Sequence, residues 1–228
     1  MAAIARAPRI GLAARHSGRK ESPLAKRGYH HGNLRAALIE ATLDLIAEAG
    51  PQGFTLAEAA KRAGVSAAAP YRHFAGREDL LAAVALEGFA LFADLLERSW
   101  DGGRPSPLRA LKALGRAYLA FARQHPGHYM AMFASGICPG TAPELAAQAE
   151  RARKVLLVAA EQLSASLPPD RRPPPAIFAA HIRALSHGVV ELFARSSPDA
   201  QAPFDAESLL DSGVQTYLRG LGLIDAEN

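Results

Sequence analysis

The residues TLAEAAKRAGVS, Thr55 to Ser66, constrain the backbone more tightly than any other stretch of this 228-residue chain. Thr55 and Glu58 have the spacing of a capping box: the hydroxyl accepts from the third helical N–H while the carboxylate reaches back to the cap. Leu56, Ala59, Ala60 and Ala63 then recur on one side of a short helix. Gly64 ends it, and Ser66 stands ready to cap another helix two residues later. Two short helices joined this tightly cannot lie antiparallel. They must cross steeply, which is the helix-turn-helix arrangement.

The residues after that turn, SAAAPYRHF, suit a helix laid in a DNA major groove. Ala67, Ala68 and Ala69 let the backbone approach the groove floor, and an alanine methyl can pack on a thymine methyl. Pro70 falls in the first turn, where a missing N–H costs least. Tyr71 and His73 suit phosphate oxygens, and Arg72 suits a guanine edge or a phosphate. Val65 and Phe74 are the expected core contacts. Such a helix positions well and reads few bases directly, so part of its specificity would come from DNA shape.

On either side the pattern is helical. Leu34, Leu38, Ala41, Leu45 and Ala49 form one stripe behind a cap at Asn33, and Gly50-Pro51-Gln52-Gly53 stops it. A longer helix starts near Gly76, with Glu78 and Asp79 in its first turn, and carries Leu81, Val84, Gly88, Phe92 and Leu95 to Trp100. After a break at 101–107, helices are expected over 107–124, 126–134, 142–167, 176–195 and 206–221, with PPDRRPPP (168–175) as a stiff extended loop. The expected fold class is all-α, about nine helices: an N-terminal three-helix helix-turn-helix domain and a C-terminal helical ligand-binding and dimerisation domain.

Composition narrows the function. Hydrophobic residues make up 49% and aromatics only 7%, which disfavours an extensive sheet. The single cysteine, Cys138, excludes an internal disulfide framework and suits a reducing compartment. No continuous apolar run reaches the roughly 20 residues that span a bilayer, so no membrane partner and a cytoplasmic location are expected. Residues 1–28 hold seven Lys or Arg against Glu21 alone; the net +4 of the chain is therefore +6 in this arm and −2 elsewhere. The arm looks secretory in no respect, resembles a transit peptide only in being basic, and suits a polyanion. Nucleotide-binding glycine loops, H-E-x-x-H and G-x-S-x-G are all missing, so no catalytic residues and no cofactor are assigned.

The stretch FTLAEAAKRAGVSAAAPYRHFAGREDLLAAV, 54–84, closely resembles the DNA-binding motif of the TetR family of bacterial transcriptional repressors, and the likeness extends over about 31–91. YHHGNLRAALIEA resembles the first helix of one subgroup. The resemblance implies phosphate contacts from Thr55, Tyr71, His73 and Arg77 and groove contacts from Ser66, Ala67, Ala68, Ala69 and Arg72. HPGHYMAMF and SHG (186–188) resemble the WHG variant of the family's C-terminal domain, with serine in place of tryptophan. By the same resemblance the protein is a homodimer on a palindromic operator of double-stranded DNA, released by a small-molecule effector. The parts are then a basic arm (1–28), the helix-turn-helix domain (29–80) and the effector-binding and dimerisation domain (81–228).

Phe89, Phe92, Tyr118, Phe121, Tyr129, Met130, Met132 and Phe133 are the candidates to line an effector pocket, of apolar character. The helix over 176–195 is apolar on two sides: Phe178, Ile182, Leu185, Val189 and Phe193 on one, His181, Gly188 and Leu192 on another. A helix of that kind needs two surfaces to cover it. By the same resemblance it pairs with Leu210, Val214, Tyr217 and Leu221 in a four-helix dimer interface; otherwise one protomer's own core absorbs both faces. A metal-responsive regulator is the alternative, drawing on His125, His128, Cys138, His181 and His187, but Pro126-Gly127 breaks the first pair and no metal ligand is assigned. A helical protein-interaction module is the third class.

Overall fold

The computed structural model describes residues 34–194 and 203–225. The basic arm and the expected cap at Asn33 lie outside them. Among the described residues there are eight α-helices and no strand: α1 Leu34–Ala49, α2 Leu56–Arg62, α3 Arg77–Trp100, α4 Pro107–Gln124, α5 Pro126–Phe133, α6 Pro143–Ser164, α7 Pro175–Ala194 and α8 Ala206–Leu221.

Four of these, α4 to α7, begin on a proline. Its fixed φ is already helical, and its missing N–H falls where no intrahelical partner exists. Ser106 adds a side-chain bond to Arg109 N–H at the start of α4, and Asp205 does the same for α8 through Ser208 N–H. Local chemistry thus sets most boundaries of the C-terminal part.

The ninth expected helix, from Ser66, is a single 3₁₀ turn over Ala69–Arg72. Pro70 explains the difference. It cannot donate the i→i−4 bond to Ser66, so Ala69 N–H closes on Ser66 O at 2.9 Å and His73 N–H on Pro70 O at 2.9 Å, both over three residues. The cap position is Ala68, with no side-chain bond, so Ser66 does not cap as expected. Gly64 sits at φ 73°, where a side chain would be strained.

Helix α3 is the axis of the molecule. It runs uninterrupted through residue 80, packs on α1 at its N-terminal end and on α4, α5 and α6 along the rest. Leu80, Leu81, Val84, Phe92 and Leu96 are buried along it. The buried face of α1 is Leu38, Ile39, Ala41, Thr42 and Ile46; Leu45 is half-buried and Ala49 exposed, so the stripe is centred on the two isoleucines.

Five of the residues expected at a subunit interface, Phe178, Ile182, Val189, Leu210 and Val214, are buried inside the protomer instead. The stripe they form faces the protomer's own helices: Phe178 meets Tyr217 edge-on at 5.4 Å, and Leu210 abuts Gly115 of α4. Leu185, Gly188, Tyr217 and Leu221 are half-buried, while His181 and Leu192 are exposed, Leu192 by 63%. By length and composition alone α7 is also apolar enough to cross a membrane, with mean hydropathy 1.2 over Pro175–Phe193, although the sequence shows no unbroken apolar run. Arg183 and Glu191 interrupt it, and its Phe178 face is covered by protein.

Candidate nucleic-acid interface and ligand cavity

The capping box at Thr55 is complete. Thr55 Oγ1 accepts from Glu58 N–H at 3.2 Å, and Glu58 Oε2 accepts from Thr55 N–H at 2.8 Å. This fixes where α2 starts, and Arg62, closing on both oxygens of Glu48 at 2.8 and 2.6 Å, ties its far end to α1. Beneath the following turn lie Phe54, Pro70 and Phe74, each buried, with Val65 packed against them half-covered. Burial of these side chains orients the outer surface: Ser66, Ala67, Ala68, Tyr71, Arg72 and His73 are exposed, and Ala69 partly so. Tyr71 is 65% exposed, an unusual place for a phenol ring that has no partner surface.

Arg77 departs from expectation. Its Nε donates to Phe54 O at 3.0 Å, its Nη2 to Pro51 O and to Gln52 Oε1, and its guanidinium lies over the Phe54 ring at 4.9 Å. As the first residue of α3 it faces the 50–54 loop. It buttresses the entry to α2 rather than reaching outward to a phosphate.

A cavity of about 540 Å³ opens between α3, α6 and α7. Phe89, Phe92, Tyr118, Met132 and Phe133 line it, five of the eight residues expected there. Phe121 lies behind the wall with its ring 4.9 Å from Phe92, and Met130 is half-buried away from the cavity. Tyr129 also stays outside: His187 Nδ1 is 2.8 Å from its hydroxyl and 3.1 Å from that of Tyr118, and Tyr129 donates to Glu191 Oε1 at 3.3 Å. Burial holds both phenols well above their usual pKa, so they remain hydrogen-bond donors.

Most of the remaining lining comes from α6 and α7, including Glu150, Arg153, Leu156, Ala179 and Arg183, with Leu96 of α3 and Pro139 completing it. Alanines and rim charges carry little pocket signal along a sequence, unlike the aromatics and methionine expected there. The available signal was an arginine inside each of two alanine-rich helices.

Helix α5 links the two regions. Met132 and Phe133 reach the cavity, while Gly127 lies against Leu43 of α1 so closely that a Cβ there would sit 3.0 Å from Leu43 O. His128, buried against Gly88 of α3, has its Nε2 without a hydrogen-bond partner among the described residues, and burial lowers its pKa to about 4. Its ring is 5.9 Å from that of His125. Among the described residues no three His, Cys, Asp or Glu side chains come together as a metal site.

Two stretches of the chain match known families. Residues 38–84 match the model of bacterial regulatory proteins of the tetR family, and residues 111–217 match that of the tetracyclin repressor-like C-terminal domain. No curated protein matches the chain. A solved protein of unknown function from Rhodococcus sp. RHA1 is similar over 86% of this chain and 98% of its own, with 27% identity and a TM-score of 0.70. The TetR family transcriptional regulator PfmR from Thermus thermophilus shares the fold at 20% identity, covering 80% and 97%, with a TM-score of 0.60. So does AibR, solved with isovaleryl coenzyme A and operator DNA, at 21% identity, 80% and 96% coverage and a TM-score of 0.61. With a helix-turn-helix family match at one end and a repressor-type helical domain match at the other, the chain belongs to the TetR family of DNA-binding transcriptional regulators.

Proposed function

We propose that the protein is a homodimeric repressor that grips a palindromic operator through the 66–73 turn and leaves it when a small ligand with an apolar body enters the cavity. The observation that carries this reading is the outward set Ser66–His73 seated on buried Phe54, Pro70 and Phe74, joined by α5 to a cavity lined with aromatic rings. Ala67 and Ala68 approach the groove floor, Arg72 supplies a base-edge or phosphate contact, and Tyr71 and His73 take phosphates. Arg77 contributes by positioning the 50–54 loop and the start of α2.

A second copy covers the outer face of α7. Ile177 and Leu192 are exposed there by 51% and 63%, His181 is exposed between them, and Gly188 leaves room for close approach. Two recognition turns held this way belong about one DNA turn apart, roughly 34–36 Å, or a multiple of it. Ligand acts by favouring a spacing that no longer fits adjacent grooves, with α5 carrying the displacement from the cavity wall to Leu43. That AibR was solved with both an acyl thioester and operator DNA supports such a coupling on this fold.

Footprinting on the promoter beside the protein's own gene tests the reading. A protected palindrome whose affinity falls steeply with salt is expected, because phosphate contacts release counterions. Salt-independent binding, or a monomer in solution at micromolar concentration, is incompatible with it.

A further inference from the structure

The cavity also has a charge, and this inference rests on the reading that the cavity holds the effector. Its inner part is a box of rings: Phe89 meets Phe133 edge-on at 5.7 Å, and Phe92 meets Tyr118 edge-on at 5.1 Å and Phe133 at 6.3 Å. Leu96, Met132 and Leu156 fill the gaps between them. An occupant must therefore present an apolar body to this end.

The three charged side chains of the lining, Glu150, Arg153 and Arg183, are exposed and mark the rim between α6 and α7. Glu150 and Arg153, three residues apart on α6, satisfy one another: Arg153 Nε and Nη2 each donate to a Glu150 oxygen at 2.6 Å. Arg183 is different. Among the described residues it forms no ion pair, and its neighbours on the cavity wall are Ala176, Ala179 and Ala180. Its positive charge reaches the cavity side, where it is felt at the Tyr118 phenol. The lining thus carries one unit of positive charge in excess, concentrated on one guanidinium beside an apolar box.

We infer that the effector is a monoanionic amphiphile, an acyl or aryl carboxylic acid whose carboxylate docks on Arg183 while its body lies among Phe89, Phe92, Tyr118 and Phe133. A guanidinium presents two parallel N–H donors that fit the two oxygens of a carboxylate, and one carboxylate neutralises its single charge. A coenzyme A thioester fits less well. Its several phosphate charges would outnumber the one uncommitted guanidinium and would meet the carboxylate of Glu150. The cavity, about 540 Å³, lies within the range of roughly 300–1,000 Å³ typical of small-molecule sites.

Titration calorimetry of the full chain with octanoate, octanamide and octanoyl coenzyme A at fixed ionic strength tests this. Octanoate is expected to bind about tenfold tighter than octanamide, the usual worth of one charge-assisted contact. Arg183→Gln should erase that preference with octanamide affinity unchanged; if this variant fails to fold, Arg183→Lys, which keeps the charge but not the fork, must reduce the preference. Ala179→Phe, which fills the cavity, should abolish binding of both. Equal affinity for octanoate and octanamide, a preference that survives Arg183→Gln, or tighter binding of octanoyl coenzyme A overturns the carboxylate assignment but leaves the cavity as effector site. Failure of all three probes to bind the wild type, or binding unaffected by Ala179→Phe, overturns both.

Discussion

Around Ser66–His73 the side chains that would meet a partner point outward, and the space behind them is filled by Phe54, Pro70 and Phe74. Around the cavity the aromatic side chains point inward, and space is left among them. The first surface is pinned by two short-range devices, a capping box and a proline-limited turn, and by Arg77 reaching across the 50–54 loop. The second is held by ring contacts between helices far apart in sequence. A surface that must match a rigid duplex gains from having one conformation. Under the proposed function, a chamber that admits a ligand and changes on doing so gains from being incompletely packed. Helix α5 lies between the two: Met132 and Phe133 line the cavity, and Gly127 rests against Leu43 of α1.

The largest test of this contrast is Phe74→Ala. The ring is 3% exposed and fills the seat of the recognition turn, so its removal should cost about 3–5 kcal/mol, measured by denaturant unfolding, and should loosen DNA binding with it. A cost below about 1 kcal/mol would mean that the seat is not rigid.

His128 probes the joint. Its folded pKa of about 4 lies below the ordinary 6.5, so the unfolded chain binds this proton more readily than the folded one. Stability should therefore be undiminished above pH 6.5 and fall as pH drops toward 4, by about 2–3 kcal/mol in all. His128→Leu should flatten that part of the pH–stability curve; an unchanged slope would assign the proton elsewhere.

Arg77 separates positioning from phosphate contact. Arg77→Ala should cost about 1–2 kcal/mol of stability through lost hydrogen bonds and weaken binding to all DNA sequences alike. Arg77→Lys should behave like the alanine variant, since an ammonium cannot bridge Phe54 O, Pro51 O and Gln52 together. A lysine variant with wild-type affinity would restore the phosphate role.

The smallest effect is expected at Ala179→Phe. Because it fills existing space, thermal stability should move by less than about 1 kcal/mol, in contrast to Phe74→Ala. A large loss would show that the chamber is as tightly built as the turn.

Much of the fold was legible because its signals are local. Prolines 107, 126, 143 and 175 and the box at Thr55 and Glu58 act within a turn of themselves, so helix boundaries and the helix-turn-helix could be read along the chain. Pro70 was visible too, but its effect depends on how far neighbouring bonds extend the turn: Phe74 N–H reaches back to Pro70 O at 3.0 Å, yet the helical turn ends at Arg72. Phe178, Ile182 and Val189 have the same periodicity whether they face a partner or their own core. Nothing in α7 alone distinguishes these.

The sequence by itself determined an all-helical chain with a DNA-binding turn near residue 66, because capping, proline and apolar spacing act over a few residues. Only the tertiary structure decided that Arg77 turns inward, that Arg183 stands at the cavity rim with no ion pair among the described residues, and which apolar stripe of α7 stays exposed. Those outcomes depend on which faces of α3, α6 and α7 meet, and in alanine-rich helices that choice is set by the packing of the whole rather than by any one segment.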